Sequence, residues 1–161
     1  GGKERYESVW KALCLLCGKN SRNEAGASAG DGYVFIHDGA RPFVTEEILQ
    51  TALETVRVHH ACVAAMPVKD TIKVADPDGF AQSTPDRSRL WQVQTPQAFS
   101  LKLILEAYRR MREAPCPGIT DDTMLAEYYM GQKVYLTRGS YENIKITTPE
   151  DLKVAEAFVG K

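Results

Sequence analysis

Asp38, Arg41 and Lys145 are the residues of this chain whose types and settings most plainly invite chemistry. Asp38 follows the apolar run Tyr33-Val-Phe-Ile36 with only His37 between, and Gly39-Ala40-Arg41-Pro42 comes next. Such a run reads as a strand buried on both faces, as strands of parallel sheets are. In open α/β sheets ligands bind beyond the carboxyl ends of the strands, where Asp38 would stand. Gly39 and Ala40 carry too little side chain to keep a substrate from the backbone. Lys145 interrupts the apolar stretch 143–146, which reads as a strand, and an ammonium there is costly unless it reaches water or an anion. It is either an anion ligand or a lysine that guards an exposed strand edge. Three further polar motifs sit at strand ends or helix starts: Asp70-Thr71, Thr95-Pro96-Gln97 and Thr120-Asp121. Thr120 reads as an N-cap, and a helix N-terminus also binds phosphate through its free N–H groups. If these residues converge, hydroxyls, a lysine, an arginine and one carboxylate line a single pocket. Phosphoryl and nucleotidyl transfer use such groups for positioning and electrostatic stabilisation, with a divalent metal offsetting charge.

The elements that must hold these residues alternate. Val9, Ala12, Leu13 and Leu16 have helical spacing, giving a helix over Tyr6 to Leu16. Residues 18–32, rich in Gly, Ser, Ala and Asn, read as a mobile surface loop. Thr45 caps a helix with Glu46 and Glu47 in its first turn, and Ala61 to Met66 is the next buried strand, stopped by Pro67. Asp78-Gly79 then marks the turn of a polar hairpin carrying Lys69, Lys73, Arg87 and Arg89. A hairpin has little stability alone, so this one is expected to pack on something, a second subunit included. Ser100 caps a helix to about Arg112, another runs from Thr120 to near Gly131, and Lys133 to Leu136 reads as a strand. Thr148-Pro149-Glu150-Asp151 starts the last helix. Strands alternating with helices predict a three-layer α/β fold with a mostly parallel sheet.

Composition narrows the classes. At 161 residues the chain fits one domain with a real core. A formal net charge of −1 without a basic tail argues against a general nucleic-acid binder. No apolar stretch approaches a membrane span, and the first residues do not resemble a signal peptide; cysteines that read as unpaired thiols make a reducing cytoplasm the expected location. Cys14 and Cys17 form a C-x-x-C with no second pair to complete a zinc site, and read as small hydrophobes on the first helix.

Six motifs carry a resemblance that spans nearly the whole chain: GGKERYESV at Gly1, IHDGARPFV at Ile36, PVKDTIK at Pro67, PDRSRLWQVQTPQAF at Pro85, ITDD at Ile119 and GSYENIKITTPEDL at Gly139. In this order the chain resembles the 2-C-methyl-D-erythritol 4-phosphate cytidylyltransferase family. The resemblance implies a Rossmann-like nucleotidyltransferase domain over 1–161, with a protruding hairpin arm at about 68–93. It implies transfer of CMP from CTP to methylerythritol 4-phosphate with Mg2+, by a homodimer whose arms reach the partner's site. Carried over by position, Gly2, Ser8 and Ala40 match nucleotide contacts. Asp38 matches the residue beside sugar phosphate and metal, and Arg41, Thr71, Arg87, Thr95 and Thr120 match substrate-phosphate contacts. Lys145 matches the group that stabilises charge as the α-phosphate of CTP is attacked. The family's A-A-G-x-G-x-R-M loop, which wraps the triphosphate, does not occur in these residues. The domain is therefore expected to be N-terminally incomplete and poorly active by itself. Two rival readings are a ribitol-5-phosphate cytidylyltransferase, which shares the strand-end and QTPQ-F motifs, and a non-catalytic dimerising fragment.

Overall fold

In the computed structural model, which describes residues 5–17 and 31–160, both apolar runs read from the sequence become strands: β1 (Tyr33–Ile36) and β2 (Ala61–Pro67). Between them α2 (Glu46–His59) starts at Thr45, whose hydroxyl accepts from the Ile48 amide, with Glu46 and Glu47 at the positive end of the helix dipole. After β2 comes a separate two-stranded hairpin, β3 (Val74–Ala75) and β4 (Ala81–Ser83). Asp76 Oδ1 accepts from the amides of Asp78 and Phe80, and Gly79 takes the left-handed φ of 88° that its turn requires. β5 (Trp91–Ser100), α3 (Leu101–Glu113), α4 (Asp122–Met130), β6 (Tyr135–Arg138) and α5 (Pro149–Val159) follow. The first helix, α1, spans Arg5–Leu16.

The main sheet has the order β1-β5-β2-β6. β1, β2 and β6 run one way and β5, between β1 and β2, runs against them. Successive residues of a strand face opposite sides of a sheet. Phe99 and Ala61 therefore join Leu13, Ile104, Tyr108 and Leu125 of α1, α3 and α4, while Ala98 and Cys62 meet Ala52 and Val56 of α2. These two clusters make the three layers expected. Burial pushes the Cys62 thiol up to about 12, so it stays protonated and donates to the Ala52 carbonyl. α5 begins with a capping box between Thr148 and Asp151, and its Phe158 meets Phe43 edge to face at 5.4 Å. No helix among the described residues is long and apolar enough to cross a membrane.

Several expectations change in detail. β1 is not buried on both faces: it stands at the edge of the described sheet, pairs antiparallel with β5, and leaves Tyr33 41% exposed. β5, unassigned in the sequence, is long and central; its residues Gln94 to Phe99 are buried although three of them are polar. Residues 143–146 form no strand. Asn143 turns its side chain inward to donate to the Thr95 carbonyl (2.8 Å), which takes the segment out of any ladder. β6 is shifted by two residues from the expected strand, covering Tyr135–Arg138 in place of 133–136. Asp121, not Thr120, caps α4, accepting from the Met124 amide at 2.9 Å. Ser100 does stand at the start of α3, but its side chain makes no capping bond. Cys14 is buried in α1 and Cys17 is half-buried beyond its end. The expected loop lies, but for Asp31 and Gly32, outside the described residues.

Candidate functional site

At the carboxyl end of β1 the backbone turns through Asp38, whose amide donates to the Thr95 hydroxyl oxygen at 3.0 Å. Thr95 thus fixes the acid from the neighbouring strand β5. The His37 ring spans the same turn, with Nε2 2.9 Å from the Arg41 carbonyl and Nδ1 3.0 Å from Thr95 Oγ1. A carbonyl can only accept, so Nε2 carries a proton; in the neutral ring Nδ1 then accepts from the Thr95 hydroxyl. The Asp38 amide and the His37 ring are thus both tied to Thr95.

Three cations converge on its carboxylate. Lys145 Nζ is 3.1 Å and Arg41 Nε 3.6 Å from Oδ2, and Arg5 Nε is 3.6 Å from Oδ1. Burial by itself would raise the Asp38 pKa; Lys145, Arg5 and Arg41 outweigh it and hold the carboxyl below its ordinary range. Arg5 is shared with the carboxylate of Asp122, so three positive charges face two negative ones and leave one that a phosphate could neutralise. Lys145 reaches this point from an irregular segment, not from a strand edge, so the edge-guarding alternative does not apply. Ile146 N donates to the Ala40 carbonyl and Arg41 Nη1 to the Asn143 carbonyl, both at 2.8 Å, tying residues 143–146 to the Asp38 turn.

Behind the cluster lies a second carboxylate. Arg5 Nη2 is 2.6 Å from Asp122 Oδ2, while Tyr108 donates its hydroxyl proton to Asp122 Oδ1. Asp122 and Tyr108 are almost wholly buried. Burial, and then the adjacent Asp122, push the Tyr108 hydroxyl upward, so it remains a donor. Burial opposes the Arg5 charge, but Asp122 and Asp38 more than restore it and its pKa is raised. Gln97 completes the join between β5 and α4, accepting from the Asp122 amide (3.0 Å) and donating to Asp121 Oδ2 (3.1 Å).

Of the residues singled out in the sequence, Asp38, Ala40, Arg41, Thr95 and Lys145 come together here. Thr120 is exposed before α4, its hydroxyl directed at Met124 Sδ. Thr71 and Arg87 are exposed on the arm, where Arg87 donates to the Lys69 carbonyl at 2.7 Å; neither bonds to the Asp38 cluster among the described residues. Ser8 is half-buried in α1, and Gly2 lies outside the described residues. Arg5, His37, Gln94, Asn143 and the Asp122–Tyr108 pair were not expected in the site. Arg5 does stand in the GGKERYESV motif, but no spacing links it to Asp122, and buried polar partners from distant strands leave no local signal.

Gly139 gives this framework a testable weak point. Its amide donates to the Ala65 carbonyl, and a Cβ there would fall 2.4 Å from Gln94 Oε1. Gln94 is buried and bonds Ser140 and Asn143, so it cannot swing aside without losing those bonds. Gly139→Ala is expected to lower stability by about 1–3 kcal/mol in urea unfolding. A loss under about 0.5 kcal/mol, the usual range of surface changes, would mean that Gln94 moves freely.

Among the described residues no three His, Cys, Asp or Glu side chains gather as a metal cage. Asp38 is a lone carboxylate, which suits Mg2+ only when substrate phosphates and water complete the coordination.

Fold and site define a Rossmann-like α/β protein with a cationic cluster at the ends of its strands. The family model described as IspD, 2-C-methyl-D-erythritol 4-phosphate cytidylyltransferase, matches residues 1–161, and the chain belongs to that family. It is 51% identical over 160 residues to the 2-C-methyl-D-erythritol 4-phosphate cytidylyltransferase of Lachnospira eligens, covering 99% of this chain and 65% of that protein. The enzyme of that name from Caldanaerobacter subterraneus is 48% identical, with 100% and 65% covered. The chain thus spans just under two thirds of the length of these curated relatives. The crystal structure of 4-diphosphocytidyl-2C-methyl-D-erythritol synthase from Anaerococcus prevotii superposes with a TM-score of 0.85 at 34% identity, covering 100% of this chain and 66% of that one. That of 2-C-methyl-D-erythritol 4-phosphate cytidylyltransferase from Thermus thermophilus gives 0.80 at 32%, covering 100% and 71%.

Proposed function

We propose that this chain forms most of an enzyme that transfers CMP from CTP to 2-C-methyl-D-erythritol 4-phosphate in non-mevalonate isoprenoid synthesis. The observation that carries the reading is the convergence of Lys145, Arg41 and Arg5 on Asp38 beside Thr95, in a chain of this family. In the reaction a 4-phosphate oxygen of the sugar alcohol attacks the α-phosphorus of CTP in line. A P–O bond forms, the bond from the α-phosphorus to the bridging oxygen breaks, and pyrophosphate leaves with that electron pair. No protein nucleophile is needed. Lys145 turns from Asp38 to the α-phosphate as charge grows there; Arg41, Thr95 and Thr120 bind substrate phosphate, and Gly2, Ser8 and Ala40 bind the nucleotide. Bound Mg2+, held by Asp38 together with the phosphates, would offset the charge of the triphosphate.

The arm supports the homodimer in this reading. Its Ile72, Val74 and Phe80 are exposed, Phe80 by 73%, and a second copy would cover them while receiving Thr71 and Arg87. Residues 1–161 then act within a cytoplasmic nucleotidyltransferase domain. The ribitol phosphate alternative is not favoured, since the family model and both relatives carry the methylerythritol name.

The test is pyrophosphate release from CTP and Mg2+ with each sugar phosphate, using this chain alone and joined to the N-terminal segment of a relative. Turnover of methylerythritol phosphate in the joined form, with little in the chain alone, is expected. Faster turnover of ribitol 5-phosphate, or none of either by a well-folded joined form, would overturn the proposal.

A further inference from the structure

The segment that carries Lys145 is tied at its other end to something outside the Asp38 cluster. Tyr141 donates its hydroxyl proton to the Pro67 carbonyl at 2.9 Å, at the last residue of β2, where the chain leaves the sheet for the arm. The ammonium of Lys69, two residues further on, stands 3.4 Å above the centre of the Tyr141 ring. A cation over an aromatic face is attracted by the ring's quadrupole. The Lys69 carbonyl in turn accepts from Arg87 Nη1 at 2.7 Å, on the returning side of the arm. One tyrosine thus holds both sides of the arm's base, directly and through Lys69.

From Tyr141 the contacts run the other way without a break. Asn143 bonds the Thr95 carbonyl, Arg41 bonds the Asn143 carbonyl, and Lys145 meets Asp38. Residues 139–146 therefore span from the arm base to the charged cluster. Tyr141 is also 40% exposed, so its contacts at the arm base are not a by-product of core packing.

We propose that Tyr141 is a positioning residue that locks the base of the β3–β4 arm to the segment bearing Lys145, so that the arm's Thr71 and Arg87 and the cluster's Lys145 are set as one unit. This rests on the function proposed above. In the proposed dimer an arm serves the partner's site while Lys145 serves its own, so the clamp makes the two sites mechanically dependent.

Tyr141→Ala removes both contacts, Tyr141→Phe keeps the ring under Lys69, and Lys69→Met removes the cation alone. Amide hydrogen exchange of 68–90 and 139–146 is read in all three, alongside KM for each substrate in the joined form. Tyr141→Ala is expected to speed exchange in both segments together, by about tenfold, and to raise KM for the sugar phosphate by a similar factor while KM for CTP stays put. Tyr141→Phe should restore part of both effects, and Lys69→Met should loosen the arm without loosening 139–146 as far. Exchange that rises in one segment only after Tyr141→Ala overturns the proposal, as does a KM change shared by both substrates. If the unaltered protein turns over neither sugar phosphate, the function fails while the exchange data still decide the clamp.

Discussion

In the form joined to a relative's N-terminal segment, Lys145→Met should lower kcat/KM for the proposed CMP transfer by about 10²- to 10³-fold and leave the fold in place. The two halves of this expectation have separate causes. In the free protein Lys145 is half-exposed and pairs with Asp38, and an ion pair of that kind is worth about 0–1 kcal/mol once solvent screening is counted. Methionine keeps most of the aliphatic stem, and Arg5 and Arg41 still face the carboxylate. Unfolding should therefore shift by about 1 kcal/mol at most. The rate is another matter. Charge accumulates on the α-phosphate only as the reaction proceeds, and a preplaced ammonium is worth far more there than in the resting protein. The loss should fall mainly on kcat. Steady-state kinetics beside urea unfolding check both halves. A loss under tenfold with intact folding would reduce Lys145 to a counter-ion for Asp38.

What could be read from the sequence and what could not divide along a physical line. β1, β2, α2 and α5 are legible because their signals are local: an apolar run, a capping threonine with acids in the next turn, a Thr-Pro-Glu-Asp start. The hairpin turn at Asp78-Gly79 is equally local. β5 was not legible. Proline is normally excluded from central strands, and Gln94, Thr95 and Gln97 look like loop residues. In the fold Pro96 falls where the pairing with β2 shifts register between Val63 and Ala65, a break in the ladder that tolerates the missing amide. The three polar side chains are buried because each bonds a distant partner: Ser140 and Asn143, the Asp38 turn, and the start of α4. Residues 143–146 failed in the opposite sense. Their apolar character fits a strand, but Asn143 spends its amide on β5 and leaves Lys145 free to bend towards Asp38. The site was thus visible as Asp38, Arg41, Thr95 and Lys145, whereas the framework that orients them depends on partners no spacing reveals.

That framework predicts a large stability effect at Arg5 and Asp122. Arg5→Met leaves the Asp122 carboxylate buried with Tyr108 as its remaining side-chain partner. Breaking a buried pair by removing one member costs about 3–5 kcal/mol, and the lower end applies because Arg5 is itself 36% exposed. Asp122→Asn should cost less, about 1–2 kcal/mol, since the amide oxygen still accepts from Tyr108 and the Arg5 guanidinium keeps Asp38 and water. The double variant is the decisive measurement. With both charges gone no unpaired charge remains, so its loss should fall short of the sum of the single losses by about 1–3 kcal/mol. Urea midpoints for the three variants close the cycle. Strict additivity would show that Arg5 is held by solvent and Asp38 alone. A coupling of the expected size would place the anchoring of α1 to α4 in this pair, and with it the third positive charge that faces Asp38.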